Sequence, residues 1–242
     1  MKKLHTLYII IGGIVLLTGA LLMLFRMEPL TDAARESYSR MAELTRETAE
    51  YHEIRPEGLV RGGIVIYPDS GEDPISYAPL AERLAEQGLA TRLVKYPLGR
   101  AALSKTERRE LDNASGISWI TLGFGKGREK SCILADRSEE ITGLILIGEC
   151  RADVNLTDND IRVSFFDLED EPVPEESMAR IMKRLPADTL YLTASSTEEI
   201  LGQIPGEAAI SALRNSQGDD ECSLVAEINR ILARSVTKRK DR

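Results

Sequence analysis

The sequence predicts an α/β fold, a doubly wound and mostly parallel sheet preceded by one transmembrane helix, and three observations carry that reading. The first is an uncharged run of 20 residues, Thr6 to Phe25, "TLYIIIGGIVLLTGALLMLF". At 1.5 Å per residue a helix of that length covers about 30 Å, one hydrocarbon thickness. The second is that short runs rich in Val, Ile and Leu alternate with amphipathic segments along the rest of the chain, the pattern of strands buried on both faces by helices. The third is size and composition: 242 residues, 43% hydrophobic and 29% charged, are neither disordered nor fibrous and leave roughly 200 residues after the span for one core.

Lys2 and Lys3 precede the apolar run, while Arg26 is followed by Glu28 and Asp32. The positive-inside rule then puts the N-terminus in the cytoplasm and the domain outside, as a single-pass protein of the cell membrane. A cleaved signal peptide is the alternative. Its apolar core would be about 7 to 15 residues and end in an A-x-A site, and none follows Phe25. The chain divides into residues 1–26 as cytoplasmic stub and anchor, 27–58 as a juxtamembrane stalk helix, 59–236 as the globular domain and 237–242 as a basic tail.

Within the stalk, Leu30 to Tyr51 is polar and helix-prone, with Thr31 or Asp32 as the cap. Gly62 to Pro68 reads as a buried strand. Ser76 to Gly88 reads as a helix with Tyr77, Leu80, Leu84 and Ala85 on one face and Gly88 closing it. "ATRLVKYP" is a strand, and Ala101 to Leu111 a weaker helix. "SWITLG" is a strand followed by a helix after Gly127, then come strands "GLILIG" (143–148) and "IRVSFFD" (161–167). A helix from Pro174 to Leu185, a strand "DTLYLT" and a last helix, Cys222 to Ala233, complete the pattern. In such folds function collects at the carboxyl ends of the strands.

Charge excludes one class of partner. Three of the 31 Lys and Arg residues (Lys2, Lys3, Arg26) fall in the first 26 positions, which hold no acid, leaving 28 basic against 39 acidic side chains, a formal −11. A domain that acidic repels nucleic acid and anionic lipid. Membrane contact is therefore assigned to residues 6–25, and any further partner is a protein or small molecule. Cys132, Cys150 and Cys222 match no metal spacing; one disulfide plus a buried thiol and three buried thiols both fit. Any disulfide is expected to use Cys150, with Cys132 or Cys222.

The stretch "SWITLGFGKGREKSCILA" has the layout of an active-site elbow, strand, glycine turn, helix, but the centre of its G-x-G-x-G is Gly125 where G-x-S-x-G would present a serine. "GFGKGR" also suggests a phosphate cradle, but it lacks both G-x-x-x-x-G-K-[ST] and G-x-G-x-x-G, and reads as a glycine turn with solvated Lys126 and Arg128. His52 reads as a surface or strand-edge residue with no second histidine near it. No cofactor or metal is expected.

"GGIVIYPDSGEDPISYAPLAERLAEQGLATRLVKYPL", residues 62–98, resembles the opening of the small, often membrane-anchored family-5 branch of the α/β-hydrolase superfamily, which reads Y-P-G-G-x-x-D-P-x-x-Y-x-P-L-A-x-x-L-A-x-x-G and then a strand ending K-x-P-L. Trp119 to Gly127 is similar to W-x-x-G-G-H-S-x-G-G, "FFDLEDEP" to the acid strand and turn, and the likeness spans about residues 60–235. The resemblance implies an α/β-hydrolase sheet with a Ser-His-Asp triad, and carried over by position it finds most of that triad missing. The nucleophile falls on Gly125, the histidine near Glu198 or Glu199, and the acid is retained at Asp170, beside Asp167, Glu169 and Glu171. The paired oxyanion-loop glycines become Asp69 and Ser70, which puts a carboxylate where negative charge would develop. The second glycine after the nucleophile, which lets the helix pack close to the sheet, becomes Arg128, so the elbow is expected to be remodelled, with Arg128 and Glu129 holding the helix away. Ser131 and Cys132 lie nearly two helical turns past Gly125, too far to substitute, and Ser70 has no histidine to activate it.

Loss of nucleophile or base costs on the order of a million-fold in rate. The sequence therefore favours a pseudoenzyme that binds or scaffolds. An active, esterase-like hydrolase with a non-standard site is the competing class.

Overall fold

The computed structural model describes residues 29–99, 101, 116–149, 154–169, 172–194, 228, 230 and 231. Helix α1 (Asp32–Arg40) is capped by the Thr31 side chain, which accepts a hydrogen bond from the Ala34 amide at 3.2 Å. A short 3-10 turn leads into β1 (Thr45–Glu47) and β2 (Tyr51–Ile54), an antiparallel hairpin. Then follow β3 (Gly62–Tyr67), α2 (Ala78–Glu86), β4 (Leu89–Val94), β5 (Trp119–Gly123), α3 (Gly127–Arg137), β6 (Ile141–Ile147), β7 (Arg162–Leu168), α4 (Glu175–Met182) and β8 (Leu190–Ala194).

Among the described residues these strands form one sheet in the order β1-β2-β4-β3-β5-β6-β7-β8. From β4 through β8 every pairing is parallel, and only the β1–β2–β4 edge is antiparallel. Side chains alternate across it, as a period of two requires. Ile64, Ile66, Ile145 and Ile147 enter a core layer with Leu80 and Leu84 of α2 and with Ile228 and Ile231. Val65, Tyr67, Leu144 and Leu146 enter the opposite layer with Leu134 of α3 and Ile181 of α4. The sheet is therefore covered on both faces, as expected. Gly88 closes α2 with φ +78, a conformation that glycine adopts without penalty.

The expected stalk over 27–58 differs. Only Asp32–Arg40 is helical, and Arg40 grips Glu82 of α2 through two hydrogen bonds of 2.6 and 2.7 Å. The second half, expected as helix within a polar, helix-prone stretch, forms β1 and β2 because its polar residues find partners across the sheet. Tyr51 to Ile54 are all buried. Glu53 pairs with the buried Arg92 of β4 at 2.9 Å, and the Arg92 guanidinium lies between the rings of Tyr51 and Trp119, 4.7 and 4.5 Å from their centroids. The folded domain thus begins well before residue 59. His52, expected at a surface or strand edge, is buried in the second strand of the sheet against the Tyr38 hydroxyl at 3.0 Å. Among the described residues no helix is long and apolar enough to cross a membrane; the run 6–25 lies outside them.

Candidate active site at the sheet switch point

The chain leaves β3 toward β4 on one side and returns to β5 on the other, so the loops after β3 and β5 diverge and leave a crevice between them. Asp69 and Ser70 follow β3, and Gly125 follows β5. Gly125 has φ +47, so the turn keeps the left-handed backbone of an elbow. Gly127 opens α3 so close to β3 that an added Cβ would lie 2.4 Å from the carbonyl oxygens of Tyr67 and Pro68. Helix and sheet are therefore in tight contact. The expectation that Arg128 and Glu129 hold the helix away is overturned, because Arg128 turns aside: its Nε donates to the Gly125 carbonyl at 2.8 Å and Nη1 to the Ile147 carbonyl at 2.7 Å. The guanidinium fits because residue 148 is glycine, where a Cβ would meet Nη1 at 2.2 Å.

The space beside Gly125 is filled from the opposite loop. A Cβ on residue 125 would lie 1.9 Å from Cγ of Asp69 and 2.1 and 2.2 Å from its oxygens. Asp69 Oδ1 accepts hydrogen bonds from the amides of Lys126 at 2.7 Å and Ser70 at 2.6 Å. An α/β-hydrolase elbow aims the amide after its displayed residue, with one from the β3 loop, at a developing oxyanion; here the amide after Gly125, Lys126 N–H, and the Ser70 amide of the β3 loop both hold the Asp69 carboxylate. The loop behind Asp69 is fixed in turn. Glu72 accepts from the Asp69 amide at 3.1 Å and from the Tyr77 hydroxyl, whose pKa burial and then the Glu72 charge push upward. Tyr77 also packs on Phe124, ring centroids 4.7 Å apart. Ser70 Oγ accepts from the Ala101 amide at 3.1 Å, a structural tie.

A cleft of about 640 Å³ opens over this point, lined by Asp69, Gly125, the start of α3 from Lys126 to Lys130, Glu149 and Pro172 to Pro174. Asp167, at the end of β7, accepts from the Val173 amide at 3.1 Å and from the Tyr191 hydroxyl at 2.5 Å, and that bond pushes the Tyr191 pKa up to about 12. Asp170 and Glu199 lie outside the described residues. So does His5; His52 on β2 is three strand spacings from β5, roughly 14 Å. Ser131 and Cys132 are buried on α3, where Ser131 donates to the Arg128 carbonyl at 2.8 Å and Cys132 is held in a disulfide. No group of three or more His, Cys, Asp or Glu side chains among the described residues could hold a metal ion.

The roles of Glu72 and Phe124 escape the sequence. The one signal available lies in the resemblance, which sets an acid, Asp69, against a glycine of the β3 loop and a glycine, Gly125, against the residue displayed on the β5 turn.

A parallel switch-point sheet with an elbow after β5 defines an α/β-hydrolase architecture. The model of the Alpha/beta hydrolase family matches residues 63–199, and the chain belongs to that family. No curated protein matches it in sequence. Similar solved structures include a candidate thioesterase from Silicibacter sp. tm1040, at 14% identity and TM-score 0.56 over 74% of this chain and 88% of that one. A Staphylococcus aureus protein of unknown function shares 14% identity at TM-score 0.53, over 75% and 94% of the two chains. A soluble variant of monoglyceride lipase from Saccharomyces cerevisiae, in complex with a substrate analogue, shares 11% identity at TM-score 0.51, over 77% and 94%. At these identities the likeness is one of fold.

Proposed function

We propose that this chain is a membrane-anchored, extracytoplasmic pseudoenzyme of the α/β-hydrolase family that acts by binding or scaffolding. The observation that carries the reading is the Asp69 carboxylate occupying the position of the nucleophile. A serine oxygen there would have no room, and an acyl substrate would meet a negative charge at the point where its own oxyanion develops. Histidine usage points the same way: of the chain's two, His5 precedes the apolar run and His52 is engaged with Tyr38 in the core. The apolar run 6–25 and its flanking charges support the anchor and its orientation, and the disulfide at Cys132 suits an oxidising compartment. The partner is a protein or a small molecule, bound without cofactor or metal.

The test is to treat the full-length protein with a fluorophosphonate probe and a panel of short acyl esters. Neither labelling nor turnover above background is expected. Labelling that Ser70→Ala abolishes would overturn the reading in favour of an unorthodox hydrolase, a second reading favoured by the 640 Å³ cleft beside Asp69.

A further inference from the structure

We propose that the Ser70 and Lys126 amides form a cradle for a small carboxylate, and that the chain occupies it with its own Asp69 as a built-in ligand. The inference deepens the non-catalytic reading of the same site. Two backbone donors 56 residues apart, Ser70 and Lys126, converge on one oxygen, Asp69 Oδ1, at 2.6 and 2.7 Å. Both distances are those of charge-assisted hydrogen bonds. The Lys126 amide immediately precedes the 11-residue helix α3, whose dipole favours a negative charge at this end. The carboxylate fits only because residue 125 lacks a side chain, since any Cβ there would overlap it. Asp69 Oδ2 makes no hydrogen bond among the described residues, and Asp69 borders the cleft, so a ligand entering there meets the resident group directly.

A glycine at position 69 would leave two converging donors and an open space of carboxylate size, unprotected from the cleft. The ligand class follows: a small monocarboxylate presenting one oxygen to two amides, with its substituent lying in the cleft. In the native chain that ligand must displace Asp69, so the cradle is closed to it.

The experiment follows the Lys126 amide in full-length protein labelled with 15N-lysine, its resonance assigned by its loss in Lys126→Arg, during titration with sodium acetate against sodium chloride. In the wild type it is expected downfield and unmoved by acetate. In Asp69→Gly it moves upfield, then returns downfield saturably with acetate, on the order of 10 mM at half-saturation, and not with chloride. Asp69→Asn, which keeps the shape, should fold normally, shift the resonance upfield because the charge is gone, and ignore acetate because the carboxamide still fills the cradle. An amide unmoved by both substitutions, an Asp69→Gly chain blind to acetate, or a wild type that titrates like Asp69→Gly would each overturn the proposal. Should Asp69→Gly fail to fold, the Asp69→Asn resonance decides: no upfield shift means Asp69 is not the amide's ligand. None of these readouts depends on ester turnover, so failure here and failure of the non-catalytic reading are separable.

Discussion

Asp69 and Gly125 occupy one another's space: the carboxyl carbon of the first lies 1.9 Å from the point where a Cβ on the second would stand. Placing a serine at position 125 therefore has a structural cost before any question of catalysis. Gly125→Ser must force a left-handed φ of +47 on a residue with a side chain and expel the Asp69 carboxylate from its two amides. Such strain and overpacking cost about 1–3 kcal/mol each. Thermal unfolding should show Gly125→Ser clearly destabilised and ester hydrolysis unchanged from background. In an Asp69→Gly background the same serine should cost less. Additive effects in this double-mutant cycle would mean that the two positions do not contact as described.

The Glu53–Arg92 pair is the second test. Both side chains are buried, at 2% and 1% exposure, and Glu53 is also hydrogen-bonded by Arg55 at 3.2 Å. Burial would raise the Glu53 pKa, but hydrogen bonds from Arg55 and Arg92 outweigh it and hold the carboxyl below 4.5. A depressed folded pKa means stability that is complete above about pH 4.5 and lost as pH falls through the lower folded value. Arg92→Ala should destabilise by about 3 kcal/mol at neutral pH, because it leaves the buried Glu53 carboxylate with the half-exposed Arg55 as its cation. Glu53→Gln should flatten the acid limb of a stability-versus-pH curve, and an unchanged limb would refute the assignment.

How much of this was legible in the sequence depends on whether a residue's partner is local. Gly62–Tyr67, Trp119–Gly123 and Ile141–Ile147 announce themselves as buried strands because their own side chains are almost all apolar. Gly125 and Asp69 could each be singled out as departures from the family pattern. Their contact could not, since it depends on how two loops 56 residues apart converge at the sheet edge. The β1–β2 hairpin was hidden for the same reason: Glu53 and His52 look solvent-seeking until β4 brings Arg92 to one and α1 brings Tyr38 to the other. The roles of Asp170 and Glu199, both outside the described residues, still rest on the resemblance.

His52 gives a prediction of opposite origin to that of Glu53. Its pKa is lowered from 6.5 by burial first and by the Lys95 charge second, against the opposing pull of Glu47 and Asp73. The folded state thus holds the neutral ring, and protonation favours the unfolded chain. Stability is full above about pH 6.5 and declines as pH falls from there toward the folded pKa, after which this contribution is constant. His52→Gln, which keeps a hydrogen-bonding partner for Tyr38, should remove that decline. A wild-type curve flat between pH 5 and 7 would contradict it.

The cysteines bring fold and location into one measurement. Cys132 lies on α3 at 1% exposure and is disulfide-bonded within the chain, so its partner is Cys150 or Cys222 and one of the three cysteines stays a thiol. The expectation that Cys150 takes part makes Cys132–Cys150 the pair. Its loop is short enough that the bond should contribute about 3 kcal/mol, and it would staple the helix of the elbow to the segment after β6. Disulfides persist outside the cytoplasm and are reduced within it. Denatured but unreduced protein, trapped with an alkylating reagent on lysis, should therefore titrate one thiol per chain and three after reduction. Cys132→Ser and Cys150→Ser should each lower the unfolding temperature and expose two thiols without reduction, whereas Cys222→Ser should leave none. Three thiols in the trapped wild type would place the domain on the reducing side of the membrane and refute the proposed orientation. Two thiols in the unreduced Cys222→Ser chain would instead keep the orientation and move the partner of Cys132 from Cys150 to Cys222.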